Sequence, residues 1–329
     1  MEYRMKLHEN KILFRQAIQF TADQLKLPPI YVEKDYWVTL ALFKIFKNEI
    51  GEEIVFKGGT SLSKCYHLIE RFSEDIDLLV IRKEGESHNK LKSKLKVIST
   101  TIEEELPEIE IDGITQKKGM NRKTAHLYYK EFKGDFGMVR DVIILESSWL
   151  SFFEPFTKQR ITSLVGQMML DNDLTSIVEE NGLNYFDLNA LHPTRTICEK
   201  IMSLVRFSYG ENPRESLKNK IRHIYDLHKL LRFEDFLKFF QSPNFDEMLL
   251  KVAMDDLLIF KNNNRWLLFH PMEALIFKHA EVVWSDLKSA YNFDFKNLVY
   301  GELPRHELVL QTLTMIRRRL EKISWTLTI

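Results

Sequence analysis

The chain has 329 residues, 44% of them hydrophobic and 29% charged, with 47 Lys+Arg against 47 Asp+Glu. That length can bury a sizeable core and hold two domains, the composition excludes a disordered or fibrous chain, and the balanced charge excludes a global field that would draw in nucleic acid. The charged first ten residues contain no stretch of signal-peptide type, and no run approaches the roughly 20 apolar residues of a membrane span, so a cytoplasmic protein without a membrane partner is expected.

From Asn10 to Leu25, apolar residues recur at helical spacing (Ile12, Leu13, Ala17, Ile18, Phe20, Leu25), and Pro28-Pro29 ends the pattern. A second helix is expected from Val32 to Phe46, with Trp37, Leu40, Ala41, Ile45 and Phe46 as its apolar stripe. A short strand, Ile54-Val55-Phe56, then runs into Gly58-Gly59, followed by a helix from Ser61 to about Glu70 and a buried strand from Asp75 to Ile81. The basic run Arg82 to Lys96 reads as a solvated helix and the acidic run Glu103 to Glu110 as an edge strand. Further strands are expected at Glu108–Ile114, Thr124–Phe132 and Val139–Leu145. From about Pro193 the pattern becomes helical, punctuated at Asn212-Pro213, Pro243-Asn244 and Asn262–Asn264. The fold class is therefore α+β: a mixed β-sheet domain with flanking helices over residues 1–190, then a mostly α-helical domain over 191–329. Cys65 and Cys198 are too few for a disulfide framework or a zinc site, and their apolar surroundings point to buried free thiols.

The chemistry lies in Phe56-Lys57-Gly58-Gly59-Thr60-Ser61-Leu62-Ser63-Lys64 and in Arg71-Phe72-Ser73-Glu74-Asp75-Ile76-Asp77-Leu78. Alternate strand residues share a face, so Asp75 and Asp77 project together while Ile76 and Leu78 enter the core. Two such carboxylates repel unless a cation lies between them. Magnesium, or manganese in its place, takes a few carboxylate oxygens and completes its shell with water and phosphate oxygens. A Gly-Gly turn lets backbone approach a ligand closely, and the N–H groups opening the next helix face an anion. Thr60, Ser61 and Ser63 add hydroxyls there. A Walker A pattern is absent, because its second glycine and its lysine are missing at the required offsets.

Together, GGTSLSK and RFSEDIDL resemble the signature of the AbiEii/AbiGii-type toxin nucleotidyltransferases, which include the MenT-like toxins and belong to the DNA polymerase β-like nucleotidyltransferase superfamily. Val32-Glu33-Lys34-Asp35-Tyr36-Trp37-Val38, Pro193-Thr194-Arg195-Thr196 through Glu199-Lys200, and Arg222-His223-Ile224-Tyr225-Asp226-Leu227 resemble further stretches of that family. The resemblance spans about Val32 to Leu230.

The resemblance implies that Asp75 and Asp77 bind the metal and that Gly58, Gly59, Thr60, Ser61, Lys64 and Ser73 adjoin the nucleotide. A third carboxylate comes from a neighbouring strand in the superfamily; Glu146 is the candidate here, with Asp141 as its rival. Lys200 and Asp226 are implied as catalytic, Lys200 neutralising triphosphate charge and Asp226 orienting it or meeting the acceptor hydroxyl. Arg195 and Arg222 are implied beside the phosphates, although Arg222 and Asp226 are also spaced for a plain intrahelical ion pair. His223 is a candidate for titration near neutrality or for packing, and phosphate on Ser73 would oppose triphosphate binding.

The implied activity releases pyrophosphate from a nucleoside triphosphate and transfers the nucleotide to RNA such as the tRNA 3′ end, with a cognate antitoxin as partner. Lys90 to Lys96, Lys117, Lys118, Arg122, Lys123 and Arg317-Arg318-Arg319 are the basic residues available to RNA. Alternatives are a protein or small-molecule acceptor, a nucleotide-sugar glycosyltransferase, and a nucleotide-binding interaction module without turnover.

Overall fold

The computed structural model describes residues 4–73, 75–117, 119–134 and 139–327, so Glu74 and Lys118 lie outside the described residues. It divides into two compact units: one comprises the chain up to His67 with Phe72–Trp149 and Phe156–Ala190, the other Leu68–Arg71, Leu150–Pro155 and Leu191–Ile329.

In the first unit, Asn10 caps the helix Lys11–Leu25, its side chain accepting from the Leu13 N–H. The next helix, Pro29–Lys47, opens with proline at its first turn and is buried along nearly its whole length. Even Glu33, Lys34 and Asp35 are buried there. The strands are β1 (Ile54–Lys57), β2 (Ile76–Val80), β3 (Glu108–Ile109), β4 (Asn121–His126), β5 (Ile143–Ser148), β6 (Phe156–Ile161) and β7 (Phe186–Leu191). They form one seven-stranded sheet in the order β3-β4-β5-β2-β1-β7-β6. The sheet is mixed: β2 runs antiparallel to β1 and parallel to β5, β4 antiparallel to β5, and β7 parallel to β1. Ile54, Phe56, Ile76, Leu78, Ile143 and Leu145 enter a core shared with Tyr36, Trp37, Leu40 and Ile45 of the buried helix.

Several boundaries differ from the sequence reading. The helix after the glycines spans Gly58–Lys64 instead of Ser61 to Glu70. It starts on Gly58 itself and cannot run to Glu70, because His67 has a positive φ of 52°. The strand expected over 108–114 is reduced to β3 because residues 112–114 turn, and β3 does occupy a sheet edge. β4 begins at Asn121 and ends at His126, the length over which it pairs with β5. β6 and β7 were not anticipated.

The second unit is helical in the regions where periodicity predicted it. Pro193–Phe207, Ile221–Leu230, Glu234–Gln241, Pro243–Ile259, Ala280–Asn292 and His306–Leu320 are its longer helices. Asn212-Pro213 and Pro243 do mark helix starts, proline occupying the first turn in each case. Cys65 and Cys198 are free and buried. Among the described residues, no helix is long and apolar enough to cross a membrane.

Candidate active site

Strand register places four charged residues in one row across the first unit. Lys123 on β4 is opposite Glu146 on β5, Glu146 is opposite Asp77 on β2, and Asp77 is opposite Lys57 at the end of β1. Register partners share a sheet face, so two neighbouring carboxylates stand between two lysines. Asp75 immediately precedes β2. Burial, followed by the charges of Glu146 and Asp75, pushes the Asp77 carboxyl up to about 7, with Lys57 and Lys123 offsetting part of the effect. Like charges thus converge on Asp77.

The glycine turn is built against the same carboxylate. Gly58 has φ +83°, and a Cβ placed on it would fall 2.2 Å from Asp77 Oδ2. The backbone conformation disfavours a side chain here, and any Cβ would have to displace the Asp77 carboxylate. Thr60, buried at the start of the helix, donates its hydroxyl to the Asp75 carbonyl at 2.6 Å, and Ser73 Oγ lies within hydrogen-bond distance of the same hydroxyl oxygen at 3.1 Å. Its hydroxyl therefore fixes the acidic segment on the glycine turn. Ser63 donates to the Thr60 carbonyl at 3.1 Å, and Ser61 is buried within the turn. Gly59 is the second residue of the helix.

The three acidic groups offer oxygen donors of the kind hard divalent cations take. Among the described residues, no three His, Cys, Asp or Glu side chains are already gathered as metal ligands. Asp75 pairs with Arg140 at 3.3 Å, and Glu146 with Lys123 at 3.2 Å. Both carboxylates are partly exposed, so a cation has to compete with side-chain cations that are free to turn away. The donor set and the unbalanced charge at Asp77 fit a divalent ion. Asp141, the rival third carboxylate, is exposed, precedes β5 and pairs with Lys130 at 3.0 Å.

Other expected residues are placed differently. Lys64, expected at phosphate, is buried against Asp35, whose other oxygen accepts the Leu164 N–H at 2.8 Å. A lysine at the end of a short helix next to a buried aspartate neutralises that aspartate first. In the second unit, Arg195 is fully buried, pairing with Asp255 and, at 3.3 Å, with Glu199. Both pairs engage its guanidinium within the second unit. Asp226 accepts from two guanidinium nitrogens of Arg71, Nε and Nη2, at 2.7 Å each and from the Lys200 ammonium at 2.8 Å. Burial alone would raise the Asp226 carboxyl, but Arg71 and Lys200 outweigh it and hold it well below the usual carboxylate range. Lys200 is thus paired with Asp226 inside the second unit. Arg71 was not anticipated, although it opens the quoted acidic segment. Arg222 is half-buried on the same helix as Asp226. Burial, reinforced by Lys200 and Lys220, holds the His223 imidazole well below its ordinary value, so it is neutral at physiological pH.

Much of the basic inventory is committed to internal pairs. Lys94 is buried between Glu53 and Glu86, Lys117 pairs with Glu108, Arg122 reaches Ser99 and Glu108, and Arg319 pairs with Asp246. Lys118 falls outside the described residues.

Residues 40–311 match the family described as "Nucleotidyl transferase AbiEii toxin, Type IV TA system". The match continues about eighty residues beyond Leu230, where the recognisable motifs end, and begins after the Val32–Val38 stretch. No curated protein matches the chain. Among solved structures, MenT4, a nucleotidyltransferase toxin from Mycobacterium tuberculosis H37Rv, is similar at 15% identity over 91% of this chain and 98% of that one, with a TM-score of 0.45. At that distance nothing about the site is transferred from it.

Proposed function

The chain belongs to the AbiEii nucleotidyltransferase toxin family, and from that premise we propose that Asp75, Asp77 and Glu146 hold a magnesium or manganese ion against a nucleoside triphosphate for transfer to an RNA acceptor such as the tRNA 3′ end. The observation that carries this reading is the contact of the Gly58 turn with Asp77, which makes the phosphate-facing backbone and the acidic cluster one construction. The ion, when bound, polarises the α-phosphate and lowers the proton affinity of the attacking hydroxyl.

The chain's own residues supply the rest. Backbone N–H groups opening the helix Gly58–Lys64 face phosphate oxygens. Thr60 keeps Asp75 in place through its carbonyl. In the second unit, Asp226 holds the Lys200 ammonium, which keeps that compact charge in place. The acceptor oxygen bonds to the α-phosphorus as the bond to the bridging oxygen of the β-phosphate breaks. The hydroxyl proton passes to a carboxylate of the cluster, and pyrophosphate carries away the leaving charge. The family's designation as a type IV toxin–antitoxin component supports an antitoxin as the biological partner.

The test is to incubate the protein with each labelled ribonucleoside triphosphate, magnesium, and tRNA, protein or small-molecule acceptors in separate reactions. Label in tRNA with equimolar pyrophosphate, abolished by Asp77→Ala, is expected. Label only in protein or in a small acceptor would replace the RNA assignment, and triphosphate binding without pyrophosphate would leave a binding module.

A further inference from the structure

Arg140 lies outside every motif quoted above, yet buried groups of the first unit hold its own backbone and that of Glu131 and Phe132. Lys34, wholly buried in the helix Pro29–Lys47, donates its ammonium to the Arg140 carbonyl. Its neighbour Glu33, also buried, accepts the backbone N–H groups of Glu131 and Phe132, at 2.6 and 3.0 Å. Asp141, next to Arg140, pairs with Lys130 at 3.0 Å. Burying a lysine and a glutamate is unfavourable unless each is hydrogen-bonded; here Lys34 bonds to the Arg140 carbonyl and Glu33 to the Glu131 and Phe132 N–H groups. The consequence is a fixed origin for the Arg140 side chain. Its guanidinium is about half exposed and meets both Asp75 oxygens, at 3.3 and 3.5 Å. Those distances are long for a charge-assisted pair, so the head group is tethered at its root and loose at its tip. Lys123 differs, because its pairing with Glu146 follows from strand register.

We propose that Arg140 is a triphosphate-binding residue that neutralises Asp75 before a cation binds and transfers its guanidinium to the phosphate oxygens once the cation takes Asp75. A planar fork of donors suits either a carboxylate or a phosphate, which makes the exchange chemically even. The inference rests on the proposed metal–triphosphate reading of the site.

The full-length protein and its Arg140→Gln and Arg140→Lys variants are titrated with manganese alone, followed by electron paramagnetic resonance, and with magnesium tripolyphosphate, followed by calorimetry. Arg140→Gln is expected to bind manganese alone several-fold more tightly, because a competitor for Asp75 has gone. It should bind magnesium tripolyphosphate about tenfold more weakly or worse, with Arg140→Lys between it and the wild type. Melting temperatures should agree, since the head group is half exposed. Unchanged affinities, or a weakening of both together, would overturn the proposal. Failure of the wild-type protein to bind either probe would instead overturn the metal–triphosphate reading beneath it.

Discussion

Replacing Gly58 with alanine probes the contact between the glycine turn and the acidic pair. The added Cβ would sit 2.2 Å from Asp77 Oδ2 on a backbone with φ +83°. The left-handed conformation alone costs an alanine about 1–2 kcal/mol. Asp77 must also withdraw by about 1 Å to reach ordinary contact, and a displacement of that size at a reacting centre can lower turnover about 100-fold. Gly85→Ala separates the two effects, because Gly85 has φ +76° but nothing within 4 Å of the added atom. Chemical denaturation should give the two variants similar losses from backbone strain, while pyrophosphate release falls about 100-fold only in Gly58→Ala. Wild-type turnover in Gly58→Ala, or an equal loss of turnover in Gly85→Ala, would refute the reasoning.

Asp77 should make metal-free stability depend on pH. Its folded value of about 7 lies above the ordinary carboxylate value of 3.8, so its protonated form favours folding, and that contribution is complete below about pH 4 and lost as pH rises through 7. Asp77→Asn should therefore melt higher than wild type at pH 8 and level with it below pH 4; identical melting at pH 8 would contradict the shift. Asp226→Asn leaves Arg71 and Lys200 buried without their carboxylate, and denaturant unfolding at neutral pH should show a loss of about 3–5 kcal/mol. Because the folded value of Asp226 is depressed, the pair's contribution is present above the ordinary carboxylate range, and the gap between variant and wild type should close only in strong acid. Lys64→Met should cost a similar amount, about 3–5 kcal/mol, by stranding buried Asp35, yet leave manganese affinity unchanged if Lys64 is structural; a loss of metal binding without destabilisation would restore it to the site.

Much of the site was legible because it is local in sequence. A strand, two glycines, a short helix and an alternating acidic pair lie within about twenty-five residues, and strand alternation alone puts the carboxylates on one face. Glu146 was reachable as the polar residue ending a buried run, but its position opposite Asp77 is a matter of strand register, which one sequence does not contain. The same holds for Lys57 and Lys123, whose identities are visible but whose row is not. Arg140 and Lys34 are farther beyond reach: their link joins residues 106 apart through a backbone carbonyl. The buried acidic partners of Lys64 and Arg195, Asp35 and Asp255, are likewise distant in sequence and invisible to local pattern. In the fold, β6 was hidden because Phe156-Thr157-Lys158-Gln159-Arg160-Ile161 is an edge strand with only Ile161 fully buried. In β7, by contrast, Phe186, Leu188 and Ala190 are buried in alternation with Asp187 and Asn189, a pattern that period-2 scanning does contain.

Diffraction from crystals soaked with manganese and a non-hydrolysable triphosphate, collected at the manganese absorption edge, tests the central assignment most directly. An anomalous peak touching oxygens of Asp75 and Asp77, with phosphate density at the Gly58 turn, is the predicted result. Triphosphate bound with the ion elsewhere, or a peak that persists unchanged in Asp77→Asn crystals, would contradict it.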